Sequence, residues 1–239
     1  MNYAAIAMLA GLTACSMSWD DDKGAGVAGT GSGTTRSYAV TDFTGVELRG
    51  SDDVDVRVGA GFSVRAEGPA KELEQLRIAR DGDTLKVGRK SGMHWGEHGK
   101  VKVYVTLPRL AAADVAGSGD MAIDRVEGAN FAGTVAGSGD LGVAAMAVDN
   151  AKLSIAGSGD LRAAGIAKAL TVDIAGSGNL TARGLTAQQA KVSIAGSGDA
   201  TAVVNGPAKV SIVGSGDVDL GAGATCSVSK VGSGSVRCR

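Results

Sequence analysis

Aromatic side chains are nearly missing from this chain: three Tyr, three Phe and two Trp in 239 residues. Proline occurs three times, cysteine three times and histidine twice. The hydrophobic fraction of 44% therefore rests largely on Ala and Val, which offer little bulk for a wide core. A slim architecture, with backbone close to backbone, fits such a composition. Scarce Pro, and Gly outside any three-residue period, exclude collagen. No apolar run reaches the ~18 residues of a membrane span. Neither charge sign dominates: 24 Lys plus Arg face 25 Asp plus Glu, for a net charge of −1. No overall field draws nucleic acid, and none is expected as a partner. What the chain has in excess is Gly, 38 residues, or about 16% against a usual ~7%. Regular apolar alternation, described below, excludes a wholly disordered chain.

The N-terminus reads as an address. Tyr3 to Leu12 is an apolar run of ten, too short to span and suited to a signal-peptide core. It ends in Leu12-Thr13-Ala14-Cys15, which resembles the bacterial lipobox: a large apolar residue, two small ones, then the Cys that is acylated and becomes the new N-terminus. Cys combines small size with the nucleophilicity this needs. The basic segment that usually precedes such a run is absent. Ser16 to Ser37, rich in Gly, Ser, Thr and Asp, follows as a polar spacer with a reach of roughly 25 Å. Ser16 in place of Asp resembles the enterobacterial signal for the outer membrane. The expected layout is a signal peptide over 1–14, a flexible tether over 15–37 and one domain over 38–239.

The second half is repetitive. A tetrapeptide recurs as Gly117-Ser118-Gly119-Asp120, Gly137-Ser138-Gly139-Asp140, Gly157-Ser158-Gly159-Asp160, Gly176-Ser177-Gly178-Asn179, Gly196-Ser197-Gly198-Asp199, Gly214-Ser215-Gly216-Asp217 and Gly232-Ser233-Gly234-Ser235. The spacings are 20, 20, 19, 20, 18 and 18 residues. Before the motif, Leu153 and Ile155, Val172 and Ile174, Val192 and Ile194, and Val210 and Ile212 alternate with polar positions, as strands do. After it, Met121 and Ile123, and Leu141 and Val143, alternate likewise. A unit of this length cannot bury its apolar face alone; stacked units can. The expected fold is all-β, a single parallel β-solenoid of about 18–20 residues per coil, with coils ~4.8 Å apart. Antiparallel hairpins with the tetrapeptide as turn are the competing arrangement, but hairpins have no reason to keep one period and one turn.

The first half, 38–110, reads as an atypical capping region of the same solenoid, followed by repeats over 111–239. Asp53 to Val58, Thr84 to Val87 and Lys100 to Leu107 alternate as strands. Pro69 to Leu76 reads as one short helix. Gly50-Ser51-Asp52-Asp53 looks like a degenerate copy of the later corner.

With these residues in view, the chain resembles the putative auto-transporter adhesin, head GIN domain family of bacterial envelope proteins. The resemblance runs from Phe43-Thr44-Gly45-Val46 through the Gly-Ser-Gly-Asp series, about residues 42 to 239. It implies a right-handed parallel β-helix, often exported and lipid-anchored, with no established activity and no catalytic residues to carry over.

Candidate chemistry is thin. His94-Trp95-Gly96-Glu97-His98 matches the H-x-x-E-H pattern of inverted zinc peptidases, but that pattern works only on a helix, and three nearby Gly favour a surface loop. Stacking would set Asp120, Asp140, Asp160, Asn179, Asp199 and Asp217 in one column. Neighbouring carboxylates there repel by about 1 kcal/mol in water and ~3–4 at an effective dielectric of 20. Backbone N–H capping as in Asx-turns, splaying into water, or a bridging Ca²⁺ each relieve that strain. The presence of Asn179 and Ser235 in the column favours capping, and no metal or cofactor is expected. No phosphate-cradling G-K-[ST] follows the Gly-Ser-Gly runs.

If Cys15 carries lipid, Cys226 and Cys238 remain as an even pair, each six residues from Gly232. A disulfide between them is the expectation for an exported protein. The whole reads as a non-catalytic envelope lipoprotein, held to the outer membrane by lipid, whose rigid surface offers itself to a protein or glycan partner. Alternatives are a scaffold that self-assembles through coil ends, and a polysaccharide-active or Ca²⁺-binding β-helix. Few aromatics argue against the enzyme.

Overall fold

The computed structural model describes residues 26–90 and 99–238. It is 67% strand and forms a β-solenoid of about 6 turns. The capping region holds β1 (Gly29–Thr30), β2 (Thr35–Tyr38), β3 (Gly45–Gly50), β4 (Asp53–Val58), β5 (Ser63–Glu67), α1 (Ala70–Gln75), β6 (Leu76–Asp81), β7 (Thr84–Arg89) and β8 (Lys102–Leu107). The repeats hold β9 (Ala112–Gly117), β10 (Met121–Ile123), β11 (Val126–Gly137), β12 (Leu141–Gly157), β13 (Leu161–Gly176), β14 (Leu180–Gly196), β15 (Ala200–Val204), β16 (Gly206–Gly214), β17 (Val218–Asp219), β18 (Ala224–Val231) and β19 (Val236–Arg237).

Every pairing between repeats is parallel, which removes the hairpin arrangement. Ile155 pairs with Ile174, Ile174 with Ile194 and Ile194 with Ile212, and each is buried. Leu153, Val172, Val192 and Val210 form a second buried column beside it. One coil shows how the chain closes. Leu141 and Val143 point in, then Met146 and Val148, then Ala151, Leu153 and Ile155. The period-two phase reverses between 143 and 146 and again between 148 and 151, and each reversal is a bend. Two bends plus the glycine corner enclose a narrow core that small aliphatic side chains can fill.

The corner is where Gly is required. Gly157 has φ +128°, and a Cβ there would lie 2.4 Å from the Gly137 carbonyl oxygen. That same oxygen accepts the N–H of Ser158 at 2.9 Å and of Gly159 at 3.0 Å. A Cβ on Gly159 would meet the Gly139 oxygen at 2.1 Å. Coil length varies from 20 to 18 residues, yet the corner and the isoleucine column stay in register. The register shifts fall between Val143 and Met146, Arg162 and Ala164, and Ala182 and Thr186, all at the bend after the first short run.

The capping region differs from a simple opening coil. Gly50 aligns with Gly117, so the degenerate corner is stacked as expected. But β7 lies beside β3 and β8 beside β4, so these two strands stack outside β3 and β4 although they follow them in sequence. The chain travels outward and returns before climbing into the repeats. Antiparallel β6 then covers β7, and β5 with β2 and β1 covers β8. The helix appears at Ala70–Gln75 with Pro69 at its start and Leu73 buried. Residues 26–37 of the spacer read as a tether over 15–37 are instead held against the domain. Thr35–Tyr38 pairs with β5, Val27 N–H donates to the Ile78 carbonyl at 2.7 Å, and Tyr38 is buried. Its small polar residues satisfy an otherwise open sheet edge.

At the other end, β18 pairs with β16 and β19 with β17. Lys230 occupies the position that Ile212 holds one coil below, and its ammonium donates to the Gly234 carbonyl at 2.6 Å. Cys226 and Cys238 stand as a disulfide with Cα atoms 6.1 Å apart, tying β18 to the chain after β19.

Gly159→Ala should cost about 3 kcal/mol, because a backbone carbonyl blocks its Cβ. Gly82→Ala, at φ +54° with nothing within 4 Å of the new Cβ, should cost about 1 kcal/mol. Urea unfolding of the two variants measures the contrast, and equal losses would contradict the close stacking.

Candidate functional site

The corner column sets one acidic or amide side chain on each coil from Asp53 to Asp217. Each Asx side chain reaches one coil ahead. Asp120 Oδ1 accepts the N–H of Asp140 at 3.0 Å, Asp140 that of Asp160 at 3.0 Å, and Asp160 that of Asn179 at 3.0 Å. Asn179 then caps Asp199 at 3.0 Å, Asp199 caps Asp217 at 2.7 Å, and Asp217 caps Ser235 at 2.7 Å. Asp53 starts the series by accepting from Asp120 at 3.3 Å. Sequence reasoning expected N–H capping within each turn. The structure routes it between coils, because a parallel stack sets the next corner's N–H directly over the carboxylate.

This bonding explains how the column tolerates its charge. One carboxylate oxygen takes an N–H, and the other is left for solvent or cations. Arg162 donates to Asp140 Oδ2 at 2.8 Å and lies 3.5 Å from Asp160 Oδ2. Nothing in the spacing of the motif signalled that arginine. Burial alone would raise the Asp140 carboxyl. The Arg162 hydrogen bond, the Asp160 N–H and the Arg162 charge outweigh it and hold the group below its ordinary 3.8. The N–H and hydroxyl of Ser235 lower Asp217 in the same way. Among the described residues, no three His, Cys, Asp or Glu side chains are placed to share a metal ion.

A second charged group closes the capping end. Asp52 stands where later repeats have the third-position Gly, and it is 1% exposed. In the repeats a Cβ there would strike the preceding coil; Gly119, for one, faces the Asp52 carbonyl. No repeat coil precedes Asp52, so its carboxylate fills that space. Arg89 clamps it with Nε at 2.8 Å from Oδ2 and Nη2 at 2.6 Å from Oδ1, and Val101 N–H adds 3.0 Å. Arg89 also bonds Glu72, which joins α1 to the cluster. The Asp52 hydrogen bond is the main reason the Arg89 guanidinium is held more firmly protonated than usual. A buried pair of this kind specifies a fit more than it adds stability. Sequence reading missed it because the partners lie 37 positions apart.

Cys15 and the His94-to-His98 segment lie outside the described residues. So does Trp95, and the loop reading of that segment with it.

Comparison with known proteins agrees with this architecture. The family described as putative auto-transporter adhesin, head GIN domain, matches residues 42–224. The chain belongs to that family. Several bacterial proteins of known structure share this fold. One is a putative adhesin from Bacteroides fragilis, 21% identical, with TM-score 0.81, covering 86% of this chain and 96% of its own. Another is a putative lipid binding protein from Parabacteroides distasonis, 23% identical, with TM-score 0.69, covering 88% and 98%. A putative adhesin from Parabacteroides merdae is 20% identical, with TM-score 0.69, covering 85% and 95%. At these identities the likeness shows the shared fold. No curated protein matches the sequence. A family described by adhesion points to the cell envelope or surface and carries no enzyme class.

Asp160→Ala orphans the Asn179 N–H of this head GIN domain and should cost about 1–2 kcal/mol, whereas Asp160→Asn keeps an acceptor and should cost little. Because Asp140 and Asp217 are lowered acids, their contribution is complete above 3.8 and is lost as pH falls through their lowered values. Thermal melts should therefore drop steeply below that pH, while a chelator at neutral pH leaves Tm unchanged. A chelator-induced drop would assign the column to Ca²⁺.

Proposed function

We propose that this head GIN domain is an exported, lipid-anchored, non-catalytic module that presents a rigid surface at the cell envelope for adhesion or structural contact. The observation that carries the reading is the parallel register of the repeats, in step through the long run and glycine corner of each coil, which sets equivalent outward side chains one coil apart along a rod. Such a surface suits an extended or repetitive partner. The anchor rests on the apolar run Tyr3 to Leu12 and on Leu12-Thr13-Ala14-Cys15, with Ser16 directing the protein to the outer membrane. The family's envelope character agrees with that address. Catalysis has no support from the corner carboxylates, since six of the seven column residues from Asp53 to Asp217 are acids already engaged by peptide N–H groups.

Self-assembly through coil ends has less support. Antiparallel strands cover the capping end, and Lys230 places a charge where the next isoleucine would stack. An inward charge at a sheet edge opposes further strand addition.

Two measurements test the proposal. In a bacterial host, wild type should incorporate labelled palmitate and partition into detergent, and Cys15→Ser should do neither. Label retained by the variant would remove the anchor. Light scattering should give one mass across concentrations, and growth with concentration would favour the scaffold.

A further inference from the structure

The bend before the long run of each coil carries a groove of about 400 Å³ that crosses four successive coils of the C-terminal half. Its long axis follows the solenoid axis, because its wall residues Ala169, Gln189, Pro207 and Thr225 are one coil apart. Ala169 and Pro207 are short, which is why the surface dips there. Along one side runs the column Thr171, Lys191, Lys209 and Ser227, each paired with the next by parallel register. Lys152 continues that column one coil below Thr171.

The lysines lack the neutralisation found elsewhere on the molecule. Lys168, at the same bend, is paired with Asp149 at 2.6 Å. Lys86, Lys100 and Lys102 are likewise paired with acids. Lys152, Lys191 and Lys209 are exposed and have no acidic partner within 4.0 Å among the described residues. Lys191 and Lys209 sit on adjacent coils, ~4.8 Å apart along the axis. Like charges on side chains spaced so repel unless they splay apart or share an anion between them. Asp173, in the neighbouring column, is a diagonal neighbour of Lys191 and does not pair with it.

We propose that this groove binds an acidic polysaccharide. Its carboxylate or sulfate groups rest on Lys191 and Lys209, its hydroxyls meet Thr171, Gln189 and Thr225, and its carbon faces cover Pro207. The coil rise matches about one sugar ring, so the groove takes some three rings of a linear chain. Nucleic acid fits less well, because the groove has no aromatic ring for a base to stack on. An anionic bilayer is flat, whereas these charges flank a concave slot. The inference rests on the adhesive-surface reading and names its ligand class.

The full-length chain, released in detergent, tests it by binding to immobilised polygalacturonate and heparin, with neutral dextran as control. Wild type should bind both acidic polymers, more weakly as salt rises, and ignore dextran. Lys191→Gln with Lys209→Gln should weaken binding about tenfold or more. Lys71→Gln with Arg183→Gln removes the same charge away from the groove and should leave binding within about twofold. The exposed lysines should leave Tm unchanged in all variants. Wild-type binding that survives Lys191→Gln with Lys209→Gln overturns the groove while leaving the adhesive reading in place. Failure of wild type to bind any polysaccharide or intact cell overturns both. Tighter lysine-dependent binding to single-stranded DNA or phosphatidylglycerol vesicles overturns the ligand class. A dimer dissolved by the lysine substitutions assigns the groove to a second copy instead.

Discussion

One carbonyl oxygen per coil organises this molecule. The oxygen of the first corner glycine accepts two N–H groups from the following coil, as Gly137 does from Ser158 and Gly159, and only at Gly196 is one of the two missing. That double bond sets the next corner directly above, and only the missing Cβ lets the two backbones come so near. Once corners are stacked, register is no longer free. A slip of one residue would turn every isoleucine of the buried column outward. The narrow core of Val, Ile, Leu and Ala then follows, with no need for aromatic bulk.

The same stacking turns a liability into a bond. Carboxylates one coil apart repel, yet each of them meets an N–H from the next corner, and the column becomes a ladder that runs from Asp53 to Ser235. The ends are finished by residues that depart from the repeat. Asp52 replaces a glycine and is clamped by Arg89. Lys230 replaces an isoleucine and folds back on Gly234. These exceptions mark where stacking stops, whereas length changes inside the array are absorbed at one bend, away from the glycine corner. The outward faces are thereby free to vary, and the lysine column beside the groove is one such variation.

Much of the fold was legible because a repeat displays its register in the sequence. Ile155, Ile174, Ile194 and Ile212 name their own neighbours, and the glycines name the corner. The corner copy at Gly50 was visible for the same reason, despite its Asp52. Features that depend on single residues far apart were not legible. Nothing in Arg89 points to Asp52, and nothing in Arg162 points to Asp140. The outward-and-return path of the capping region was hidden because alternating strands show which face is buried but not which strand lies beside them. Thr35 to Ser37 was read as tether because three polar residues carry almost no strand signal. The groove escaped notice too, since Lys152, Lys191 and Lys209 lie far apart in the chain and become neighbours only by stacking.

The stacked corners are tested most directly by distances between equivalent serines. Nitroxide labels on Ser118 paired in turn with Ser177, Ser197, Ser215 and Ser233, in a chain without Cys15 and with its disulfide intact, can be measured by pulsed electron spin resonance. In-register stacking predicts separations that rise steadily by about 4.8 Å per repeat, from roughly 14 Å to roughly 29 Å. Separations that alternate, or that fail to grow with repeat number, would contradict a column of corners on one edge.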